Sequence, residues 1–597
     1  MSNVRSNLFV RVAQWLTQPD THGRAIGIAV SSIFALVLGL FVVRDALVDP
    51  LIVQDDVRQH VFWMVRFANP ELLPNDPIAD YFQSVAPLGY TTLYRIVDWL
   101  GVAPFVFSRF LPVLIALATT LVVYEITLEL LALPLAGFLA SAILNMTLWM
   151  KDDLVSATPR AFVYLVLAVF LLGVVRRSWW QAALGIVLTV SFYPQYAIVE
   201  GSIAFVGGCA AVLPALVGRL SGKSSVFAPT VEIGAARWFF SLWLLAIVVL
   251  IPYAIGSGEY GPTIGLEEAR QSAEFWPRGR SRFFDEDLWK FWTSGDRSGF
   301  FPNHTPTFLW FGVFLPVVTR FPGVFPLVKQ LDRKSALFGW WLLTTVGLFG
   351  LAHLLLFRLH LPSRYTHHNL KLMMSIASAI FVTICIEALW RGLTQSRRLT
   401  VWGVVGGVFG AALLFSVAAS PLWLHDNTRQ AYRTGREPEL YAFLQTTPIA
   451  SKLAGIDGEI NNLPTLVQRS IVFGFEYAIP YHQGYYQPLK QRGIDMIEAF
   501  YSPDRARVAA FVERYDLGFW VVRRSSFNAE ALRNDERLGG MAKSEFQDDP
   551  MVRTIATAID SLEAGQTPTL AQDIDRCAVF ERGDFAVLDA ACTANQQ

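Results

Sequence analysis

Charge is scarce in this 597-residue chain, and it cancels: 49 Lys and Arg face 49 Asp and Glu, together only 16% of the residues, where soluble domains carry about 25%. That scarcity excludes a disordered scaffold and a soluble enzyme of ordinary composition. No basic surplus exists and the basic residues are scattered, which excludes a nucleic acid partner, since phosphate-backbone binding needs a positive face. Cysteine is rare as well, four residues in all, and none has the spacing of a zinc site. No repeat of solenoid period and no low-complexity tract stands out.

Apolar residues fill the space that charge leaves, at 53% of the chain and a mean hydropathy of +0.39. Windows long enough to cross about 30 Å of hydrocarbon recur through the first two thirds of the sequence. Eleven spans are expected: Ala25 to Val43, Phe110 to Leu130, Leu133 to Met150, Ala161 to Val175, Trp180 to Ala197, Ile203 to Gly218, Trp238 to Ile255, Thr307 to Val318, Ala336 to Phe357, Leu370 to Trp390 and Val401 to Leu422. The shortest, Thr307 to Val318, has room to begin earlier. The first is too long for a signal peptide and lacks a small-residue cleavage site, so it reads as an uncleaved anchor.

Lys and Arg mark the cytoplasmic side. Alternate connections carry Arg5, Arg11 and Arg24; Arg176 and Arg177; Arg219, Lys223 and Arg237; Arg320, Lys329, Arg333 and Lys334; and Arg391, Arg397 and Arg398. The expected architecture is therefore a polytopic α-helical membrane protein, N-terminus in and C-terminus out. It has a cytoplasmic tail (1–24), a membrane domain (25–423) with long external loops at 44–109 and 256–306, and an extracytoplasmic α/β domain (424–597). In that last domain Ser470 to Phe475 and Leu517 to Val522 read as strands, Pro503 to Tyr515 as a helix, and Cys577 to Cys592 as a hairpin around Arg582-Gly583-Asp584 that a disulfide can close.

Three external clusters carry candidate chemistry. The first loop opens with Asp55 and Asp56 on a helical pattern, where neighbours diverge by about 100°: Asp56 shares a face with His60 and Trp63, Asp55 with Gln59 and Phe62. The bland alternative is an acidic cap on a helix N-terminus. Lys151-Asp152-Asp153 closes the third span and is followed by Pro159 and Arg160; this second acidic pair either meets the first or marks the water boundary. Arg358, His360, Arg364, His367, His368 and Lys371 form a basic group on the external side, against the positive-inside trend. Guanidinium groups there suit a phosphate, although snorkelling anchors have the same composition. Phe192 to Tyr196 reads as an interfacial aromatic turn, and the 256–306 loop as either a lid or a packed interfacial segment.

Together these residues resemble the GT-C superfamily of polytopic glycosyltransferases. The sequence Asp55-Asp56-Val57-Arg58 is similar to the Asp-acidic-x-Arg motif of aminoarabinose and protein mannosyl transferases, and Pro362-Ser363-Arg364-Tyr365-Thr366 to a Pro-Arg-Tyr element near donor phosphate. The Trp-Trp-Asp-x-Gly motif of oligosaccharyltransferases is absent: neither Trp179-Trp180 nor Trp340-Trp341 continues with Asp-x-Gly, which argues against asparagine glycosylation. The resemblance implies transfer of a hexosyl or pentosyl group, with inversion, from a polyprenyl-phosphate donor to an extracytoplasmic glycan, lipid or protein hydroxyl at the plasma (inner) membrane. It implies Asp55 as general base with Asp56 as the fallback. Arg58, His60, Asp152, Asp153, Arg160, Arg358, His360, Arg364, Tyr365 and His367 would bind substrate. A divalent ion such as Mg or Mn is optional; its ligands would be Asp55, Asp152 and Asp153. A lipid-linked sugar transporter and a non-catalytic cell-envelope scaffold are the alternatives. Transport calls for charge deep within spans, where Glu125, Glu129 and His353 are the candidates.

Overall fold

The computed structural model describes residues 21–150, 152–220, 233–256, 258–395 and 401–595. Lys151 and the orienting residues Arg5, Arg11, Lys223, Arg397 and Arg398 lie outside that set.

A helix stands at each of the eleven expected spans. Seven are long and apolar enough to cross a membrane: His22–Val48, Pro104–Leu130, Pro159–Arg176, Pro194–Leu213, Gly234–Ile255, Arg333–Leu354 and Pro362–Arg391. Pro134–Leu148, Trp179–Phe192 and Thr307–Val318 are shorter apolar helices, and Val401–Arg429 is the last of the set. The chain is thus a multi-pass membrane protein. Proline opens the segments at Pro104, Pro134, Pro159 and Pro362, where its fixed φ suits the first turn and its missing N–H costs nothing.

Burial separates the inner helices from the outer ones. Pro134–Leu148 is enclosed almost throughout, whereas Gly234–Ile255 exposes Leu244, Ile247, Val248 and Ile251, an apolar face suited to lipid. The segment Thr307–Val318 does not begin earlier, as the sequence left open. Pro306 precedes it, it starts as a 3-10 helix over Thr307–Phe314, and it is pinned to the Pro362–Gln395 helix. There the Ser378 hydroxyl accepts from Gly312 N at 2.7 Å and donates to Leu309 O at 2.5 Å. Gly312 is required by this approach, because a Cβ there would lie 2.9 Å from Ala377 Cβ.

At the helix ends that bear Arg24, Arg176 and Lys334, Glu129 accepts from Arg176 at 2.9 Å and Lys334 at 3.0 Å, and Glu125 from Arg24 at 3.1 Å. These carboxylates are ties between helix ends rather than free charges in a translocation path.

At the opposite helix ends a short antiparallel ribbon joins β1 (Ile52–Gln54) to β2 (Tyr432–Thr434), with Val53 opposite Arg433, so the start of the first loop is stitched to the residues that follow the last apolar helix. A five-stranded sheet follows. It comprises β3 (Lys452–Ala454), β4 (Ser470–Ile471), β5 (Phe519–Arg523), β6 (Ala578–Arg582) and β7 (Phe585–Asp589), in the order β4-β3-β5-β7-β6. The β3 strand runs parallel to both neighbours, while β5, β7 and β6 are antiparallel. The hairpin turns at Gly583, whose φ of 57° favours glycine, and Cys577 and Cys592 are disulfide-bonded.

One loop expectation changes, and the other loop takes one of its two expected forms. The helix after Gln54 lasts one turn, Val57–His60, and gives way to a 3-10 helix over Phe62–Phe67. Phe62, Trp63 and Met64 are all buried, so this stretch is embedded on every side instead of presenting one apolar face. The 256–306 loop, for its part, is a packed segment with its own small core of Ile264, Phe275, Phe283 and Phe284 against Phe357 and Leu361.

Candidate active site

The two aspartates of the first loop point apart. The Gln54 side chain accepts from the backbone N–H of Asp56 at 2.8 Å and of Val57 at 3.1 Å, starting the short turn that separates them. Asp55 pairs with Arg58 and, at 3.1 Å, with Arg433 beside the β1–β2 ribbon. Asp56 takes the other direction, and its Oδ2 accepts from Arg160 Nη2 at 2.5 Å.

Arg160 is the hub. The same guanidinium lies 3.1 Å from Asp152 Oδ2 and 3.6 Å from Asp153 Oδ1, so the two acidic pairs meet through one cation. The chain reaches this geometry through Ala157, which sits in the left-handed region with φ 52°. The hydroxyls of Tyr90 and Tyr94 donate to its carbonyl at 3.3 and 3.0 Å, holding a strained bend that folds Arg160 back over Asp152 and Asp153. Neither tyrosine carried a sequence signal.

Asp153 is buried and joins the basic group. Its Oδ2 accepts from Lys371 at 3.0 Å and Tyr164 at 3.1 Å, and its Oδ1 lies 3.7 Å from both Arg364 Nη1 and His368 Nε2. Burial alone would raise its pKa, but Lys371, His368 and Arg160 outweigh that and hold it well below the usual carboxylate range. Asp56 shows the opposite balance. Desolvation dominates, Arg160 offsets it only in part, and Asp152, Asp55 and Glu476 add repulsion, so its pKa rises from 3.8 to about 6. Two carboxyls tied to the same arginine are thereby split, one permanently ionised and one able to exchange a proton near neutrality.

Not every expected residue joins this cluster. Arg358 is exposed on the turn. Tyr365 donates its hydroxyl to Leu359 O at 2.6 Å and braces the backbone. Arg58 is buried, bonded to Asn462 Oδ1 at 2.9 Å and 3.5 Å from Glu476, which fastens the first loop to the C-terminal region. His367 is buried on the long helix. His60 and His360 lie near the cluster but are neutral: burial, then Arg160, pushes His60 down to about 4, and burial, then Arg364 and Arg297, pushes His360 down to about 3. The fixed positive charge therefore belongs to Arg160, Arg364 and Lys371.

Sequence reasoning missed the contribution of the 256–306 loop. Arg280 reaches Glu476 at 2.6 Å, and Arg297 donates to the Tyr481 hydroxyl at 2.5 Å, while its carbonyl accepts from Ser363 N at 3.2 Å. Both break the positive-inside trend as the 358–371 group does, so the same signal was available. Tyr196, expected in an interfacial belt, is buried, and its hydroxyl donates to Arg364 O at 3.4 Å.

The donor set fits a divalent cation poorly. Mg²⁺ and Mn²⁺ need about six oxygen ligands. Asp55 faces away toward Arg433, while Asp152 and Asp153 are bridged by a guanidinium where an ion would sit. Among the described residues no group of three or more His, Cys, Asp or Glu is arranged to hold a metal.

No family model and no curated protein sequence matches the chain. Solved structures do. The oligosaccharyltransferase of Archaeoglobus fulgidus tethered to an acceptor peptide aligns with a TM-score of 0.51 at 11% identity, over 90% of this chain and 72% of that one. The apo form of that enzyme gives 0.51 at 12% identity with the same coverage. The chain shares the fold of that oligosaccharyltransferase, in line with the resemblance its motifs carry. At this identity the GT-C likeness extends to architecture, and the chemistry rests on the residues described above.

Proposed function

We propose that this chain is a membrane glycosyltransferase that moves one sugar from a polyprenyl-phosphate donor to an acceptor hydroxyl on the extracytoplasmic side of the plasma membrane. The observation that carries this reading is Asp56, with a pKa of about 6, hydrogen-bonded to Arg160 within the cluster that contains Asp153 and Arg364.

A glycosyl phosphate carries its own leaving group, so two tasks remain. Asp56 Oδ2 is engaged by Arg160, and Oδ1 accepts the acceptor's hydroxyl proton. General-base assistance of this kind contributes about 100-fold to 10,000-fold, and it works best when the base titrates near the operating pH. The acceptor oxygen attacks the anomeric carbon from the face opposite the phosphate. The carbon–oxygen bond to phosphate breaks and its electron pair leaves with the polyprenyl phosphate, so the anomeric configuration inverts. Arg364, supported by Lys371 and with Arg297 on the neighbouring loop, meets the charge that develops on the phosphate. Arg160 sets the pKa of the base and keeps Asp152 and Asp153 oriented. This assignment prefers Asp56 over Asp55, which two arginines already hold.

The transporter alternative loses its motive, because Glu125 and Glu129 are ion-paired at the cytoplasmic end. The test is to substitute Asp55→Asn and Asp56→Asn separately in cells, with span topology checked by reporter fusions. Loss of one envelope glycoconjugate in Asp56→Asn is expected. Unchanged glycan profiles in both variants would overturn the enzyme reading.

A further inference from the structure

On the other side of the Asp55–Asp56 step lies a cavity of about 430 Å³ that the mechanism does not use. Its walls come from the outer ends of the first and last membrane helices, the β1–β2 ribbon and the Gly458–Asn462 turn of the external domain. It therefore opens where the membrane domain and the external domain meet.

Five arginines line it: Arg58, Arg429, Arg433, Arg436 and Arg537. Arg58 and Arg433 share the single carboxylate of Asp55, and Arg58 also lies 3.5 Å from Glu476. Arg429, Arg436 and Arg537 are exposed and form no ion pair among the described residues. The two acidic residues of the lining already hold partners: Asp45 lies 3.0 Å from His425 Nε2, and Glu459 accepts from Asn462 Nδ2 at 2.7 Å and from the Tyr441 hydroxyl. Three guanidinium groups with no ion pair among the described residues thus line one partly open cavity, in which Asp45 and Glu459 are the acidic residues of the lining. Like charges so placed repel one another unless an anion sits between them, and the planar fork of arginine matches the oxygens of a phosphate better than it matches a single point acceptor.

We propose that this cavity is a second, anion-binding site that takes a phosphate ester at the outer membrane face. The chemistry is shared by two sources, the headgroup of an anionic membrane lipid and a water-soluble phosphate. The site stands on its own lining and does not depend on the glycosyltransferase reading.

The experiment uses the purified full-length chain in a neutral detergent and measures thermal stabilisation and binding by native mass spectrometry. The probes are short-chain phosphatidylglycerol, short-chain phosphatidylcholine and inorganic phosphate. Saturable binding of phosphatidylglycerol is expected, and the variant Arg429→Gln/Arg436→Gln/Arg537→Gln should weaken it about tenfold or more. These three side chains are exposed, so the variant should keep its fold; Arg507→Gln, an exposed arginine outside the cavity lining, should leave binding unchanged. Phosphatidylglycerol binding without phosphate binding assigns the site to a lipid headgroup, and equal binding of inorganic phosphate assigns it to a soluble anion. The proposal is overturned if neither probe binds, if phosphatidylcholine binds as well as phosphatidylglycerol, if the triple variant binds like the wild type, or if Arg507→Gln weakens binding as much as the triple variant does.

Discussion

Replacing Asp56 by asparagine should abolish activity without destabilising the protein, a combination that a structural carboxylate cannot give. The pKa of Asp56 rises from 3.8 to about 6 on folding, so the folded state holds its proton more tightly than the unfolded chain. The contribution of Asp56 to stability is therefore fully present below about 4, is lost as the pH climbs through the window from 3.8 to about 6, and is flat above it. The ionised form carries a cost of about 3 kcal/mol at neutral pH, at 1.36 kcal/mol per pKa unit. Asparagine removes that cost and keeps an acceptor for Arg160, losing about 1 to 1.5 kcal/mol of charge-assisted hydrogen bonding. The variant is thus expected to be as stable as the wild type at pH 8 or more stable by about 1 to 2 kcal/mol, and to lack the fall in stability between pH 4 and 6. Unfolding in detergent, followed at pH 4, 5, 6 and 8 for both proteins, measures this directly. A variant less stable than wild type by more than about 1 kcal/mol at pH 8 would refute the reasoning, because the Asp56–Arg160 pair would then stabilise the fold on balance.

For the wild-type enzyme, kcat/KM should fall about tenfold per pH unit below 6 as Asp56 protonates, and Arg160→Gln should move that acid limb upward, since Arg160 opposes the rise; a limb that stays in place contradicts the assignment. Asp153→Asn leaves Lys371 buried without its ionised partner, which should cost about 3 to 5 kcal/mol of stability, seen as a lowered Tm and partly restored by adding Lys371→Met. Transfer should survive EDTA, because Arg160 bridges the carboxylates a cation would need; loss of transfer on chelation with recovery on Mg²⁺ would contradict this. Cys577→Ser/Cys592→Ser opens a loop of 15 residues and should cost the external domain about 3 kcal/mol in the chain-entropy view, measurable by limited proteolysis.

Much of the architecture was legible because lipid imposes a length and a charge rule on every span. Each expected span holds a helix, and the Arg582-Gly583-Asp584 turn sits between two strands as alternation suggested. The meeting of the two acidic pairs was legible only as one of two readings. What decides between them is the Ala157 bend under Tyr90 and Tyr94, a left-handed residue that no local pattern announces. The division of labour between Asp55 and Asp56 was half visible. Helical spacing indicated that they diverge, but their environments come from Arg433 and Arg160, distant in sequence. Burial of His60 and His360 could not be read from residue type, so two apparent cations are neutral. Arg280 carried the same charge signal as the 358–371 group, but its partner, Glu476, lies 196 residues away and could not be read from the sequence.

The central claim is tested most directly by reconstituting the purified chain in nanodiscs with polyprenyl-phosphate sugars of different head groups and measuring release of free polyprenyl phosphate together with the anomeric configuration of the product. Release from at least one donor, with inversion, and its loss in Asp56→Asn are predicted. No release from any donor by a folded protein, or equal release by Asp56→Asn, would contradict the account.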